Sequence, residues 1–217
     1  MCYYVLSDFE SPQEFYVRGG QYVAFEFTAP FDGEYVFYTE GNVNTYGEVF
    51  TQPVYDRTST ASLIAFNSDN GEGYNCAVTC SLTAGQTVYA RMTIPDLSSI
   101  RTFSVGVLYI QKIELATVYN DTLTAGHGNW YVFTTVYNGV YEFCTYGGTD
   151  TYGYILTFYN GDYESNCLAS DDDNGSGCNF SILYDLASGQ DIYIYVCGTD
   201  ETIEGDYSIV IDCLEIA

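Results

Sequence analysis

Three aspartates, an asparagine and a glycine follow one another in the run Asp171–Gly175, which is the part of the sequence best suited to chemistry. Hard divalent cations such as Ca²⁺ take several oxygen ligands from flexible loops that contain glycine, and Asp171 and Asp173 offer such oxygens in alternation. Asp172 belongs to the same candidate set. The run lacks the full loop and the terminal glutamate of an EF-hand. The alternative is a solvated acidic turn whose side chains cap backbone amides, and the residues alone leave both interpretations open.

Residues for catalysis are scarce. His127 is the only histidine, and it lies between two glycines shortly before Trp130. A Ser-His-Asp or Cys-His arrangement would have to use it, yet no nucleophile motif accompanies it. Acidic residues are too abundant for a pair of them to indicate glycoside hydrolysis. We therefore interpret His127 as a turn residue and predict that the chain is not an enzyme.

The chain has eight cysteines, an even number that permits disulfides in an exported protein. Cys167 and Cys178 flank the acidic run, so a bond between them would staple that loop. Cys144 and Cys197 each fall on the outward phase of a predicted strand and form a second candidate pair, across two strands. No CxxC pair is present, which argues against zinc-ribbon or thioredoxin chemistry.

Aromatic side chains are the other candidate for binding. With 24 Tyr, 13 Phe and one Trp, the chain is unusually rich in rings. Trp130, Tyr152 and Tyr154 would offer a flat surface on which a sugar could stack. Tyrosines also pack well on the outer faces of sheets, and this second interpretation stays open beside the first.

The elements that position these residues are β-strands. Apolar and polar residues alternate in runs such as Tyr22–Phe27, Glu34–Tyr38 and Asp191–Val196, which is typical of half-buried strands. Turn clusters such as Asn138-Gly139 separate the runs. No segment has a helical apolar stripe. Many short strands with regular turns predict a sandwich or a barrel.

An internal repeat sets the domain count. Four segments recur in the same order at an offset of 104–106 residues. Gly33–Gly41 returns as Gly139–Gly147, and Leu82–Tyr89 returns as Leu186–Tyr193. We predict an all-β chain of two tandem antiparallel β-sandwich domains, residues 1–112 and 113–217.

Within each repeat the pattern predicts local geometry. Tyr141 and Phe143 alternate with polar neighbours and should face the core. Gly85 and Gly189 precede strands at tight turns that require a positive φ.

Several motifs of the second repeat together resemble the bacterial pre-peptidase C-terminal domain family. They are Gly147–Gly153, Leu168–Gly175, Leu186–Gln190 and Gly205–Ile209. The resemblance covers most of residues 120–212 and, less well, residues 15–110. It implies a jelly-roll-like β-sandwich that is secreted or attached to a surface, usually accompanies an enzyme and sometimes binds calcium.

The resemblance also extends the candidate metal site. Asp150 matches the family's other loop acid, so the implied calcium ligands of the second repeat are Asp150, Asp171, Asp172 and Asp173. In the first repeat, Asp69 keeps the position of Asp173, whereas Asn44 replaces Asp150. We therefore include Asp69 as a weaker candidate.

Charge narrows the choice of partner. The chain has 29 acidic and 5 basic residues and a formal net charge of −24, which argues against nucleic acid and anionic membranes. All five basic residues precede position 113, so carboxylates of the second repeat must be solvated, protonated, metal-bound or paired with another domain or partner. Head-to-tail contacts between copies are one such possibility; simple solubility is another.

We expect a non-catalytic binding or structural module that is extracellular or on a cell surface. No apolar run is long enough to span a membrane, and Met1–Tyr4 lack the basic start of a signal peptide. The alternatives are a self-assembling subunit of a filament or surface layer, in which Cys2–Leu6 adds a strand to a neighbour, and a carbohydrate-binding module. The expected partners are another protein, a second copy or a surface glycan.

Overall fold

The computed structural model describes residues 4–5, 12–54, 60, 62–69, 71, 73–98, 100–157 and 166–216. The chain divides into two compact units, Met1–Ile110 and Gln111–Ala217. Among the described residues, no helix is long and apolar enough to cross a membrane.

The strands that begin in the first unit alternate with short turns. They are β1 (Tyr4–Val5), β2 (Gln13–Arg18), β3 (Tyr22–Thr28), β4 (Gly33–Glu40), β5 (Tyr46–Phe50), β6 (Leu63–Asn67), β7 (Ala77–Leu82), β8 (Thr87–Thr93) and β9 (Ile100–Lys112). One sheet of this unit has the order β1-β3-β8-β5-β6, and the other has the order β2-β9-β4-β7.

The second unit repeats this arrangement. Its strands are β10 (Tyr119–Leu123), β11 (Asn129–Thr134), β12 (Gly139–Gly147), β13 (Thr151–Leu156), β14 (Cys167–Asp171), β15 (Ser181–Leu186), β16 (Asp191–Gly198) and β17 (Gly205–Ile216). They form one sheet with the order β10-β17-β12-β15 and another with the order β14-β13-β16-β11.

The strand order of the second unit is that of a jelly roll. Its first, eighth, third and sixth described strands share one sheet, and its second, seventh, fourth and fifth share the other. All these pairs are antiparallel. The first unit has the same order from β2 to β9, with β1 added at one edge. The prediction of antiparallel, jelly-roll-like β-sandwiches is confirmed.

Each unit has its own core, filled by the inward side chains of both its sheets. Tyr141 and Phe143 of β12 are completely buried, as their alternation with polar residues predicts. Their counterparts Tyr35 and Phe37 are buried in the first unit. Burial of apolar area at about 25 cal/mol per Å² drives this packing.

Corresponding corners of the two units use the same hydrogen bonds. The hydroxyls of Thr39 and Thr45 lie 2.6 Å apart in the first unit, as do those of Thr145 and Thr151 in the second. The predicted left-handed turns are also present, since φ is 80° at Gly85 and 79° at Gly189. These shared features explain part of the sequence repeat by folding alone.

The N-terminal strand pairs within its own chain. Tyr4 and Val5 lie parallel to β3, opposite Phe25 and Glu26, and the Tyr4 ring packs 5.1 Å from the ring of Phe15. Tyr4 and Val5 therefore form the edge strand of their own sheet, and the addition of this segment to a neighbour stays a prediction. The other residues of Cys2–Leu6 lie outside the described part of the chain.

Candidate metal centre

Three of the predicted ligands come together at one corner of the second unit. Asp150 directly precedes β13, and Asp172 and Asp173 directly follow β14. Because β13 and β14 pair antiparallel, with Gly153 opposite Asp171, the start of one lies beside the end of the other. One carboxylate oxygen from each of the three aspartates lies within 4.8 Å of the other two.

Two oxygens of this aspartate cluster, defined as Asp150, Asp172 and Asp173, have no hydrogen-bond donor in the described part of the chain. Oδ1 of Asp150 and Oδ1 of Asp172 are both buried and unpartnered. A buried acceptor without a partner costs on the order of 1–3 kcal/mol, and more when it is charged. Residues 113–217 contain no Lys or Arg, so no cationic side chain of this unit can compensate these oxygens, and a bound cation would do so.

When no cation is bound, the electrostatic surroundings favour the protonated form of Asp172. The pKa of Asp172 is raised, first by burial and then by the negative charges of Asp173, Asp150 and Asp171. A carboxyl with a raised pKa is one whose charged form is disfavoured by its surroundings. The negative charges of the three aspartates therefore repel one another, and a bound cation would reduce this repulsion.

Asp171 has a structural role instead. Its Oδ2 accepts hydrogen bonds from the backbone N–H groups of Asn174 and Ser181, at 3.1 and 2.8 Å. The loop closes further through the Gly175 N–H, which donates to the Asn179 carbonyl at 2.9 Å. Asp171 thus caps the turn and does not belong to the three clustered ligands. Each interpretation of the acidic run applies to a part of it. Asp171 caps backbone N–H groups, whereas Asp172 and Asp173 remain available to a ligand.

Asp69 has no comparable surroundings. It is exposed, and its Oδ2 accepts a hydrogen bond from the Ser68 hydroxyl at 2.8 Å. It belongs to no group of three His, Cys, Asp or Glu ligands in the described part of the chain. The physical reason is the change of two neighbours, since Asn44 and Ser68 occupy the positions of Asp150 and Asp172.

The aspartate cluster suits a hard cation that accepts oxygen ligands. Oxygens that bind one Ca²⁺ at 2.3–2.6 Å are separated by at most about 5 Å, which matches the spacing of these carboxylates. Asp150, Asp172 and Asp173 would be its protein ligands. All three donors are carboxylate oxygens, so softer metals such as zinc, which prefer sulfur or imidazole, are disfavoured.

The predicted disulfides are not formed. The described cysteines are free thiols, including Cys167 beside the acidic loop and the exposed Cys178. Cys144 and Cys197 lie on β12 and β16, which belong to different sheets of the sandwich. The two cysteines therefore do not lie on neighbouring strands, as the predicted cross-strand pair requires. Burial raises the pKa of Cys197 to about 11.

The structure joins the three predicted stacking residues through a fourth ring, that of Tyr195, which is not among the predicted residues. Trp130 stacks on Tyr195 at 4.6 Å between ring centroids, and Tyr195 lies 6.1 Å from Tyr154. Tyr154 in turn lies 4.8 Å from Tyr152. This aromatic ladder crosses the outer face of β11, β16 and β13. Neighbouring rings are inclined by 28–33° and pack against one another, which reduces the surface open to a ligand.

The first unit shows what the ladder replaces. In the same register, the positions of Tyr195 and Tyr154 hold Arg91 and Glu48. The Arg91 guanidinium donates to the Glu48 carboxylate and lies 4.7 Å from the ring centroid of Phe50. One unit thus covers this sheet face with an ion pair and the other with rings. Comparing the two repeats position by position would have identified Tyr195.

Comparisons with known proteins find similar solved structures at low sequence identity. No protein-family model matches the chain, and no curated protein matches it either. One similar structure is the pre-peptidase C-terminal domain of collagenase from Bacillus anthracis. It has a TM-score of 0.37 and 17% identity over 47% of this chain and 93% of that domain. Another is the tail fiber protein gp63.1 from a phage of E. coli, with a TM-score of 0.28 and 9% identity over 95% of this chain and 39% of that one.

Proposed function

We propose that this chain is a non-catalytic binding module whose second unit is ordered by Ca²⁺ at the aspartate cluster. The observation that carries the proposal is the pair of buried, unpartnered oxygens of Asp150 and Asp172, held within 4.8 Å of an oxygen of Asp173. A divalent cation would satisfy both oxygens and remove the repulsion between the three charges. Because the ligands precede β13 and follow β14, the cation would tie two strands together at their ends.

The surroundings of the only histidine support a role other than catalysis. His127 is exposed in the turn between β10 and β11, where its backbone N–H donates to the Thr124 carbonyl at 3.0 Å. A calcium-ordered sandwich of this kind belongs outside the cell or on its surface, where millimolar Ca²⁺ saturates weak sites. Another protein, a second copy or a surface glycan remain the proposed partners.

Differential scanning calorimetry of the whole chain tests the cation. We expect the melting temperature of one transition to rise when Ca²⁺ replaces a chelator, because a ligand at one hundred times its Kd stabilises the folded state by about 2.7 kcal/mol. Mg²⁺ at the same concentration serves as a control for ionic strength. Equal melting temperatures in chelator and in millimolar Ca²⁺ would refute the proposal.

Self-assembly is a second candidate, favoured by the uneven distribution of charge. Arg18 and Arg101 are exposed in the first unit, while residues 113–217 contain no Lys or Arg. Contacts between unlike surfaces of successive copies generate chains or rings. Size-exclusion chromatography with light scattering distinguishes the candidates: a monomer at low and at physiological salt would eliminate assembly by charge pairing.

A further inference from the structure

The first unit has a basic end, which we define as Tyr16, Arg18, Leu97, Ile100 and Arg101. All five residues are exposed. Tyr16 and Arg18 alternate with the buried Val17 along β2, so both point away from the core. Arg18 lies opposite Ile100, and Arg101 is the next residue of β9. This end of the unit therefore presents two cationic side chains together with aromatic and aliphatic ones.

The two arginines of the basic end are available to a partner. Neither of them forms an ion pair with another residue of the described chain. The Arg101 guanidinium donates instead to the Ile100 carbonyl at 3.0 Å. Leu97 exposes 75% of its surface in the turn before β9, and its backbone lies beside Gly19, the neighbour of Arg18. An apolar side chain thus accompanies the positive charges.

The second unit has an acidic face on the outer side of β17, β12 and β15, which we define as Glu142, Leu183, Asp212 and Glu215. Glu142 lies opposite Leu183 of β15 and opposite Asp212 of β17. Glu215 lies opposite Val140, two residues before Glu142. Buried residues alternate with Val140 and Glu142 along β12, so these positions point outward. Leu183 exposes 59% of its surface, which places an apolar side chain beside the carboxylates.

Each of these surfaces belongs to one unit only. Tyr16 and Arg101 have uncharged counterparts in the register of the second unit. These are Thr122 and Gly205. Glu142 and Asp212 have apolar counterparts in the register of the first unit. These are Val36 and Leu108. Since sandwiches of the same strand order form with and without these groups, folding alone does not explain either surface.

We propose that the basic end of one copy binds the acidic face of the next, so that copies of the chain associate head to tail. The inference rests on the self-assembly candidate given above and names its two surfaces. Exposed apolar side chains with polar groups around them are typical of interaction sites, and opposite charges across an interface fix its register. Because the two surfaces differ, the contact is heterologous and generates rings or open chains.

The distribution of charge favours a second copy as the partner. Residues 113–217 contain no Lys or Arg, whereas residues 1–112 contain all five of the chain's basic residues. The same polypeptide therefore supplies the positive charge that the acidic face lacks. Whole copies, each with a formal charge of −24, repel one another at long range. Salt at physiological concentration screens charges farther apart than about 8 Å, while pairs in contact are screened less.

Sedimentation velocity of the full-length chain tests the proposal, over a concentration series in chelator, so that Ca²⁺ cannot bridge copies. At physiological salt we expect the sedimentation coefficient to rise with concentration. In about 1 M salt, where the screening length is about 3 Å, the rise should diminish. Arg18→Glu and Asp212→Lys should each weaken the association about tenfold or more, because like charges then meet across the contact.

An equimolar mixture of these two variants provides the sharper test. The new carboxylate of Arg18→Glu then meets the new ammonium group of Asp212→Lys, and the other two surfaces are those of the wild type. The mixture should associate as the wild type does, which also shows that both variants are folded. Lys112→Glu and Glu114→Lys are the matched controls, because they make the same changes of charge at exposed residues outside both surfaces. Each control should associate as the wild type does.

The possible failures have different meanings. A chain that stays monomeric at every concentration would overturn both this proposal and self-assembly, leaving the acidic face to a cationic partner of another kind. Association that neither variant weakens, or a mixture that associates no better than its components, would eliminate these two surfaces but not self-assembly. The calorimetric response to Ca²⁺ tests the metal centre separately, whichever of these results is obtained.

Discussion

Replacing Asp172 with asparagine should change the stability of the second unit in opposite directions with and without Ca²⁺. Asparagine keeps the shape of the side chain and removes its charge. In chelator, the variant loses the repulsion from Asp150 and Asp173 and should be more stable than the wild type. In saturating Ca²⁺ it loses a charged ligand of the cation and should be less stable.

The size of the stabilisation follows from the geometry. Two unit charges 4.8 Å apart repel by about 0.9 kcal/mol in a water-like dielectric. The substitution removes two of the three repulsions in the cluster. Salt at physiological concentration screens charges over about 8 Å, and because the side chains are partly exposed we discount the sum to about 1 kcal/mol. In Ca²⁺ the variant forfeits up to about 2.7 kcal/mol of ligand-linked stability at one hundred times Kd.

Urea unfolding in chelator and in Ca²⁺ measures both effects. A change of about 1 kcal/mol corresponds to a shift of about 4–8 °C in melting temperature for a domain of 60–100 residues, so calorimetry gives a second measurement. Asp185→Asn is the matched control, because Asp185 is an exposed acid of β15 outside the cluster. It should have the same small effect in both buffers.

The raised pKa of Asp172 fixes the direction in which the stability of the second unit should change with pH. A carboxyl whose pKa is raised by folding binds its proton more tightly in the folded state, so its contribution to stability falls as the pH rises through the raised pKa. The pKa of Asp172 is raised. In chelator, the wild type should therefore lose more stability than Asp172→Asn between about pH 4, the ordinary pKa of an aspartate, and pH 7. The reasoning is refuted if Asp172→Asn destabilises the chain equally in both buffers and at both pH values.

Three further predictions concern packing and thiol chemistry. Glu48→Ala leaves the Arg91 guanidinium buried without its carboxylate and should cost about 3–5 kcal/mol in urea unfolding; a loss below about 1 kcal/mol would contradict this. Gly153→Ala would place a Cβ 2.5 Å from the Phe180 ring and should cost about 1–3 kcal/mol by the same measurement. Among the described thiols, Cys178 is the exposed one, so it should react first with an aromatic disulfide reagent, and Cys178→Ser should remove that fast phase.

The fold could be predicted from the sequence because its signals are local and occur twice. Alternating residues such as Tyr141 and Phe143 identify the buried face of a strand, and the nearly constant offset between repeats aligns whole strands. Glycines such as Gly85 and Gly189 mark the turns, since a positive φ at these positions disfavours other residues.

The site could be predicted only in part, because ligand geometry depends on which way each side chain points. Alternation suggested that Asp171 and Asp173 act together, but Asp171 is the last residue of β14 and turns toward backbone N–H groups. Asp150 entered through a family resemblance, and strand pairing explains its proximity to the run. Disulfide pairing depends on which sheet each strand joins, and local alternation does not reveal that for Cys144 and Cys197.

A polar cluster on the core face of the second unit, formed by Asp121, Tyr131 and Tyr207, has a signal in the sequence. Matching the two repeats position by position sets Phe15 against Asp121 and Phe103 against Tyr207. A change from ring hydrocarbon to polar group at an inward position is unexpected in a core. Similarity between the repeats identifies the fold, and their differences identify this polar cluster.

The central claim is that Asp150, Asp172 and Asp173 together hold one cation. Isothermal titration of Ca²⁺ into the metal-free chain measures this directly. We predict one site per chain, abolished or weakened at least about tenfold in Asp150→Asn and unchanged in Asp69→Asn. Absence of binding at millimolar Ca²⁺, or equal affinity in the wild type and in Asp150→Asn, would contradict the claim.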